Sequence, residues 1–429
     1  MPYLERIADQ QLKLHLECFG ATLITGPKWC GKTTTAKQQA KSVIQIQDPD
    51  MRENYLFTAR TKPSLLLEGE NPRLIDEWQE APVLWDSVRM SVDNLQKEGL
   101  YILTGSTTVN DKLIHHTGTG RISRIKMYPM SLFESQESNG CISLRKLFDE
   151  KDYDIDGKRS DLSIEQLIFA ACRGGWPASL KKRSDTAKLM IAREYLQNIC
   201  QSDISSVDGV TRSPSQTALI LKSYARNIST LASKQCLLKD IAANAENISI
   251  NSFYAYLNAL ERLFVLEDVE AWCPSIRSAT TIRAGQKREF VDPSIAIAAL
   301  GLTPEYLKQD LKTFGFLFEC LCIRDLKIYS QSFHGRVSYY HDRYDLEADA
   351  VLTLEDGRYA LIEFKLGSNE IELGASHLLK IKELVKEYNQ KEPLHPLREP
   401  DLLLIITGGN MAITRPDGIK IVPIGCLRD

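Results

Sequence analysis

Short, nearly continuous apolar runs recur through the first 135 residues, each bounded by glycine or polar residues. They are Ala21-Thr22-Leu23-Ile24-Thr25, Ser42-Val43-Ile44-Gln45-Ile46, Arg73-Leu74-Ile75-Asp76 and Tyr101-Ile102-Leu103-Thr104. Helical stretches separate them, the first from about Lys32 to Lys41. Strands apolar on both faces and separated by helices predict a parallel sheet covered on both sides. Asp149 to Asp161 is polar, carries Gly157, and reads as a linker or surface loop. From Leu162 to about Leu302 the spacing is mostly helical. A helix from Gly315 to Leu326 then leads back to strands at Leu326 to Ser332, Arg336 to Tyr340, Ala348 to Leu354 and Tyr359 to Lys365. A helix from Glu370 to Tyr388, with Leu378, Leu379, Ile381, Leu384 and Val385 along its core side, precedes a strand at Leu402 to Thr407. The expected order is therefore α/β, then helical, then α/β.

Composition narrows the class. Hydrophobic residues make up 43% and charged residues 25%, near globular averages, which excludes long disorder and fibrous repeats. Lys plus Arg is 53 against 56 for Asp plus Glu, so the chain is not coated in basic charge, although a local basic patch is compatible with the sum. No apolar run approaches the roughly 20 residues that span a bilayer. The ten cysteines are scattered without a CxxC pair. Together with an opening that lacks an apolar signal core, they read as reduced thiols of a cytoplasmic protein with no membrane partner.

Gly26-Pro27-Lys28-Trp29-Cys30-Gly31-Lys32-Thr33 fits G-x-x-x-x-G-K-[ST], directly after a strand and before a helix, with Thr34 next. Glycines let the backbone curl so that its N–H groups face phosphate oxygens, and the helix adds its positive end. Lys32 is expected on the β- and γ-phosphates of ATP and Thr33 on Mg²⁺. A carboxylate for the metal and one for the attacking water are also needed. Asp76 and Glu77 supply both at a strand end, Asp76 as metal ligand and Glu77 as the base that polarises water. An acidic helix cap is the competing reading of that pair. Thr104 and Ser106, at the next strand end, are candidates to orient the water. Arg121 and Arg124 are candidates to neutralise transition-state charge on a neighbouring subunit of a homo-oligomer. His115-His116 reads as a surface pair, and Cys30 as a small residue filling the loop.

These strings, with Leu74-Ile75-Asp76-Glu77-Trp78-Gln79-Glu80-Ala81-Pro82, Leu103-Thr104-Gly105-Ser106 and Pro129-x-Ser131-x-x-Glu134, resemble the bacterial and archaeal AAA-type P-loop ATPases that carry a C-terminal domain of unknown function. The resemblance covers nearly the whole chain and implies ATP binding and hydrolysis. It does not imply a biological role.

In the middle block, Leu237 to Ala242 and Ser249 to Leu257 read as two helices joined by a turn, followed by a strand to Val269, the order of a winged helix-turn-helix. Ser252, Tyr254 and Asn258 would lie on the outer face of the second helix. That helix carries one basic residue, Arg262. The stretch Arg277, Arg283, Lys287 and Arg288 is the better candidate for phosphate contacts. DNA contact and protein packing both stand as readings.

In the last block the turn Glu355-Asp356-Gly357 sets a hairpin in which Asp349 faces Glu363 and Glu347 faces Lys365. Alternation then puts Asp349, Glu363 and Lys365 on one face. With Glu319 on the preceding helix, the carboxylates look like the metal-dependent D…(D/E)xK nuclease motif. A second Mg²⁺ or Mn²⁺ on Glu319, Asp349 and Glu363 would relieve their repulsion, with Lys365 orienting water. Cross-strand salt bridging is the bland alternative. The expected fold class is α/β, a P-loop NTPase parallel sheet (1–135), a helical linker or lid (136–215), a winged-helix-like region (216–302) and a restriction-endonuclease-like domain (303–429). An ATPase whose C-terminal domain acts on DNA is the leading reading. A nucleotide-gated scaffold with an inert nuclease-like domain is the alternative.

Overall fold

The computed structural model describes residues 2–106, 117–243, 248–274 and 285–429. The chain divides into two units, the first formed by Met1–Pro129 with Ser202–Arg212 and Tyr256–Val265. It opens with helix α1 (Ile7–Cys18), then β1 (Ala21–Thr25), helix α2 (Lys32–Gln39), β2 (Ser42–Gln45), β3 (Arg73–Asp76), a helix Val83–Leu95, β4 (Tyr101–Gly105) and β5 (Ile122–Lys126). The strands form a parallel sheet in the order β2-β3-β4-β1-β5.

Alternation along each strand explains the layering. Leu23, Ile75 and Leu103 point to one face, where they meet Leu84, Trp85 and Val88 of the helix Val83–Leu95. Ile24, Leu74 and Ile102 point to the other, where they meet Leu12 and Leu16 of α1 and Ala36 of α2. Burying both faces is what the continuous apolar runs require.

β5 is the strand the sequence pattern hides. Ile122-Ser123-Arg124-Ile125-Lys126 has only two apolar residues, Ile122 and Ile125, one buried on each face, and no continuous apolar run, as suits the outermost strand of the sheet. The two later segments belong to this unit by contact: the Lys126 ammonium lies 5.5 Å from the Phe264 ring centroid, and Arg212 lies 5.8 Å from that of Tyr256 while pairing with Asp208 at 2.7 Å.

The second unit comprises Met130–Gln201, Ser213–Ala255 and Leu266–Asp429. Its first part is helical, with helices Ile164–Arg173, Asp185–Asn198, Pro214–Arg226 and Lys234–Ala242. The Pro129-x-Ser131-x-x-Glu134 string contributes a local turn here, because Glu134 Oε2 accepts from the Ser131 N–H at 2.9 Å and from its hydroxyl at 3.2 Å. Ser252, Tyr254 and Asn258, on the helix Ile250–Arg262, are exposed as expected.

The last part holds a long helix, Leu311–Gln331, and then β7 (Arg336–His341), β8 (Glu347–Thr353), β9 (Tyr359–Lys365), a helix Ile371–Lys391, β10 (Leu402–Thr407), β11 (Ile413–Thr414) and β12 (Lys420–Pro423). The sheet order is β11-β12-β10-β9-β8-β7, and a short β6 (Ile142–Ser143) pairs with β13 (Leu427–Arg428). The strand expected at Leu326 to Ser332 is instead the last two turns of the long helix. A short apolar run does not distinguish a buried helix from a strand, and here the helix prevails because Leu326, Ile328 and Tyr329 are buried in continuation of Phe318 and Cys322.

β7 does not present a bare edge. Ala271 bridges to Tyr339, with Trp272 N–H donating to Tyr339 O at 2.6 Å and Tyr339 N–H donating to Glu270 O at 3.1 Å. The segment that does this also pairs with the return stretch, Leu266 with Phe290 and Val269 with Lys287. No helix among the described residues is long and apolar enough to cross a membrane.

Candidate nucleotide site and C-terminal carboxylate cluster

The loop Gly26 to Gly31 leaves the end of β1 and enters α2 at Gly31, whose φ of 105° is a conformation that glycine accepts freely. Gly26 has φ 146°, and a Cβ there would stand 2.1 Å from Met127 O. Only a residue without a side chain lets the loop lie so close to the chain leaving β5. Lys32 is buried inside the curl and donates to Gly26 O at 2.9 Å and Pro27 O at 2.8 Å. Lys28 is ion-paired with Asp203 at 2.7 Å. Cys30 is buried, with its thiol 3.8 Å from Met127 O. Trp29 and Thr34 are exposed, and the Thr34 carbonyl accepts from Gln38 at 3.1 Å.

The acidic pair stands on β3, and the sheet order puts β4 between β3 and β1. Register aligns Asp76 with Thr104 and Thr104 with Ile24, so the strand ends meet at the level where the loop begins. Asp76 is buried and accepts from Thr33 Oγ1 at 2.7 Å, from Thr104 Oγ1 at 2.5 Å and from Gln45 Nε2 at 3.3 Å. The expected neighbours Thr33, Asp76 and Thr104 are therefore brought together directly. The donor set fits a hard divalent cation: a hydroxyl and a carboxylate oxygen, already within hydrogen-bond distance of one another.

Glu77 sits at φ 55°, ψ 48° in the left-handed region. For a residue other than glycine that costs roughly 1–3 kcal/mol and is characteristic of functional positions. Its Oε2 accepts from Gln79 Nε2 and from Ser106 Oγ, the latter at 3.2 Å. Gly105 makes room for that arrangement, since a Cβ there would meet Gln79 Oε1 at 3.0 Å and Trp78 Nε1 at 3.2 Å. Thr104 and Ser106 thus address different acids, Asp76 and Glu77.

Several supporting residues have no motif of their own. Arg6, on the approach to α1, is buried and donates to Cys30 O and to Tyr128 O, both at 2.8 Å, so it ties the phosphate loop to the chain after β5. The Tyr3 hydroxyl donates to Asp9 at 2.8 Å and lies 2.9 Å from Thr35 Oγ1 on α2. Burial pushes that hydroxyl well above the usual tyrosine range. Asp203 is likewise invisible without the fold.

The two arginines are not at the loop of their own chain. Arg121 precedes Ile122, which pairs with Ala21 at the start of β1, so it lies at the opposite end of the sheet from Gly26. It is paired with Asp93 at 2.7 Å and holds that carboxyl below the usual range. Arg124 is exposed on β5, 5.5 Å from the Trp85 ring centroid. His115 and His116 lie outside the described residues, as do Arg277 and Arg283.

The expected basic surface needs correction at Lys287 and Arg288. Lys287 and Arg288 are buried. Lys287 meets Glu319, and Arg288 pairs with Asp268 and donates to Ala232 O at 2.8 Å. Burial of a charge demands a partner, and both lysine and arginine have found one inside.

In the C-terminal cluster the hairpin register is the one expected: Ala350 faces Ile362 and Val351 faces Leu361. Lys365 Nζ lies 2.6 Å from Glu363 and 3.5 Å from Asp349. Asp349 also accepts from the Phe364 N–H at 2.7 Å, and His377 Nδ1 stands 3.3 Å from Glu363 Oε1. Burial, then the Asp349 charge, pushes the Glu363 carboxyl up to about 8. Burial alone would lower the Lys365 and Lys287 ammoniums, but their carboxylate partners outweigh it and hold both above the usual range. Among the described residues no group of three or more His, Cys, Asp or Glu side chains is arranged to hold a metal ion. The predicted ligands Glu319, Asp349 and Glu363 meet through lysines instead, so the second-metal expectation does not fit the residues as they stand.

Glu289, two residues from Lys287, was not singled out by sequence. It is fully buried and accepts from Ser229 Oγ at 2.9 Å, with Lys287, Lys327 and Cys320 around it. Burial pushes its carboxyl up to about 7. A raised acid is protonated more readily folded than unfolded, so its contribution favours folding at low pH and is lost as pH rises from about 4.5 towards 7. Glu289→Gln should therefore gain on the parent across that interval, by at most about 1.4 kcal/mol per pH unit, in denaturant melts. A difference that stays constant with pH would show that Glu289 is ionised throughout.

Residues 19–136 match the family model described as "AAA domain". Residues 164–306 and 314–427 match two domains of unknown function, DUF8612 and DUF4143. No curated protein matches the chain. Among solved structures, the chain is similar to a Walker-type ATPase of Pyrococcus abyssi at 14% identity, covering 69% of this chain and 96% of that one with a TM-score of 0.43. A DNA replication initiation factor is similar at 12% identity, over 59% of this chain and 86% of that one, TM-score 0.25. A DNA polymerase III gamma subunit-related protein of Thermotoga maritima is similar at 12% identity, over 60% and 100%, TM-score 0.22. On its family match and its five-stranded parallel sheet, the N-terminal segment 19–136 is a P-loop domain of the AAA type.

Proposed function

We propose that the chain binds Mg-ATP at Gly26 to Thr34 and hydrolyses it. The observation that carries this reading is the meeting of Thr33, Thr104 and Asp76 within hydrogen-bond distance beside the Lys32 loop. Thr33 and Asp76 would hold the Mg²⁺, which, when bound, neutralises charge on the phosphate oxygens. The protein's own groups do the rest. Lys32 exchanges its two loop carbonyls for phosphate oxygens. Thr104 fixes the Asp76 carboxylate. Gln79 and Ser106 fix that of Glu77, which accepts a proton from the attacking water. Arg121 and Arg124, on or beside the outermost strand, serve in this reading a neighbouring copy's nucleotide in a homo-oligomer.

The finer reading gives residues 216–302 a winged-helix character and 303–429 a restriction-endonuclease-like core, with Asp349, Glu363, Lys365 and Glu319 as its polar residues and DNA as its partner. The helix–strand–strand–strand–helix–strand order of Leu311 to Thr407 supports that core. The inward turn of Lys287 and Arg288 favours the second reading, a nucleotide-gated binding protein whose nuclease-like domain is inert.

Equilibrium dialysis of the purified chain against Mg-ATP tests the proposal. Retained adenine nucleotide, together with phosphate release that Asp76→Asn removes, is the expected result. Absence of retention would sink both readings.

A further inference from the structure

Lys287 belongs to none of the strands of the sheet that carries the acids, yet it ends among them. Its backbone pairs with Val269 through two hydrogen bonds of 2.9 Å, N–H to carbonyl in both directions. From there the side chain runs inward. Its ammonium donates to Glu319 Oε1 at 2.5 Å and to the Asp349 carbonyl at 3.1 Å, and stands 5.6 Å from the Tyr339 ring centroid. The Tyr339 hydroxyl in turn donates to Gly285 O at 2.5 Å, two residues before Lys287. The lysine side chain is 7% exposed and that of Glu319 13%.

The cluster already contains cations of the protein's own. Glu319, Asp349 and Glu363 bring three carboxyl groups, and Lys287 and Lys365 bring two ammoniums. A bare acidic trio would demand a divalent cation. This one already holds monovalent cations on flexible tethers, one of them supplied by the stretch that pairs with the segment covering the edge of β7.

We propose that the Lys287 ammonium is the resident cation of the Glu319–Asp349–Glu363 cluster, standing where a divalent ion would otherwise be required, and that it locks the 285–290 strand onto the C-terminal domain. The wild-type chain then binds no Mg²⁺ or Mn²⁺ at these carboxylates. Replacing the ammonium with a neutral side chain leaves Glu319 without its ion-pair partner and the cluster with Lys365 alone, so the variant becomes responsive to a divalent cation while the parent is not. This goes beyond the nucleotide reading and is tested without nucleotide, so the two stand or fall separately.

The experiment is Mn²⁺ titration of nucleotide-free, chelator-stripped full-length protein, read by electron paramagnetic resonance of free Mn²⁺ and by thermal melting. In the parent, Asp349→Asn should leave the amount of bound Mn²⁺ unchanged. Lys287→Met should lower the melting temperature, and millimolar Mn²⁺ should recover part of that loss. Lys287→Arg, which keeps the charge, should lose less and gain nothing from Mn²⁺. Mn²⁺ bound by the parent and lost in Asp349→Asn would overturn the proposal. So would a Lys287→Met protein that melts like the parent, or one that is destabilised but indifferent to Mn²⁺. If Lys287→Met does not fold, the comparison of parent with Asp349→Asn still decides the first point.

Discussion

Lys32→Ala protein should release no phosphate from ATP above the protein-free blank, and should retain no nucleotide on dialysis. Lys32 is the one ammonium enclosed by the loop, held by Gly26 O and Pro27 O. Its charge is aimed at the space the curl surrounds, and alanine removes that charge while leaving the glycines free to curl. A single preorganised donor to developing charge is worth about 10²–10³ in rate, and Lys32 also contributes to ground-state binding, so the combined loss should exceed that range. The fold should survive, because the alanine occupies a first-turn helix position and adds no bulk. Turnover by Lys32→Ala equal to the parent's would remove the phosphate-loop assignment altogether.

The second large effect is expected from Glu77→Gln: hydrolysis down by about 10²–10⁴ with ATP binding kept. Glutamine has nearly the same shape and can still meet Ser106, but it cannot accept a proton from water. Because Glu77 pays for a left-handed backbone to stand where it does, its position is set by the strand end and by Gln79 and not by its charge. Binding and hydrolysis should therefore separate in this variant. The check is a filter-retention assay beside a phosphate-release assay. Parallel loss of both would mean that Glu77 shapes the pocket and does not act on water. Unchanged hydrolysis would favour the scaffold reading's opposite, an enzyme whose base lies elsewhere.

Much of this site is legible in the chain because its parts are short and periodic. The phosphate loop needs glycines at fixed offsets and a lysine at the helix start, and those are local requirements. The carboxylates on β3 and the hydroxyl on β4 follow from strand ends in a parallel sheet. In the C-terminal domain a turn and a period of two fix which residues of β8 and β9 face each other. The rest depends on distant partners. Nothing near Arg6 in sequence announces that it braces Cys30 and Tyr128. Nothing near Lys28 announces Asp203, 175 positions away. Lys287 and Arg288 read as a basic patch because charge counts cannot tell an outward side chain from one buried against an acid. Leu326 to Ser332 reads as a strand because its run is too short for the helical period to declare itself. Gln79 stands in the string that carries the family resemblance, but its service to Glu77 appears only when Gly105 is seen to clear the space beside it.

The P-loop unit is written in three separate stretches, the last ending at Val265. A ribosome delivers them in order, so Asp203 and Phe264 reach Lys28 and Lys126 only after the intervening helices have been translated. At about 5–20 residues per second, the nascent β-sheet waits on the order of ten seconds between the emergence of its last strand and the arrival of its final pieces.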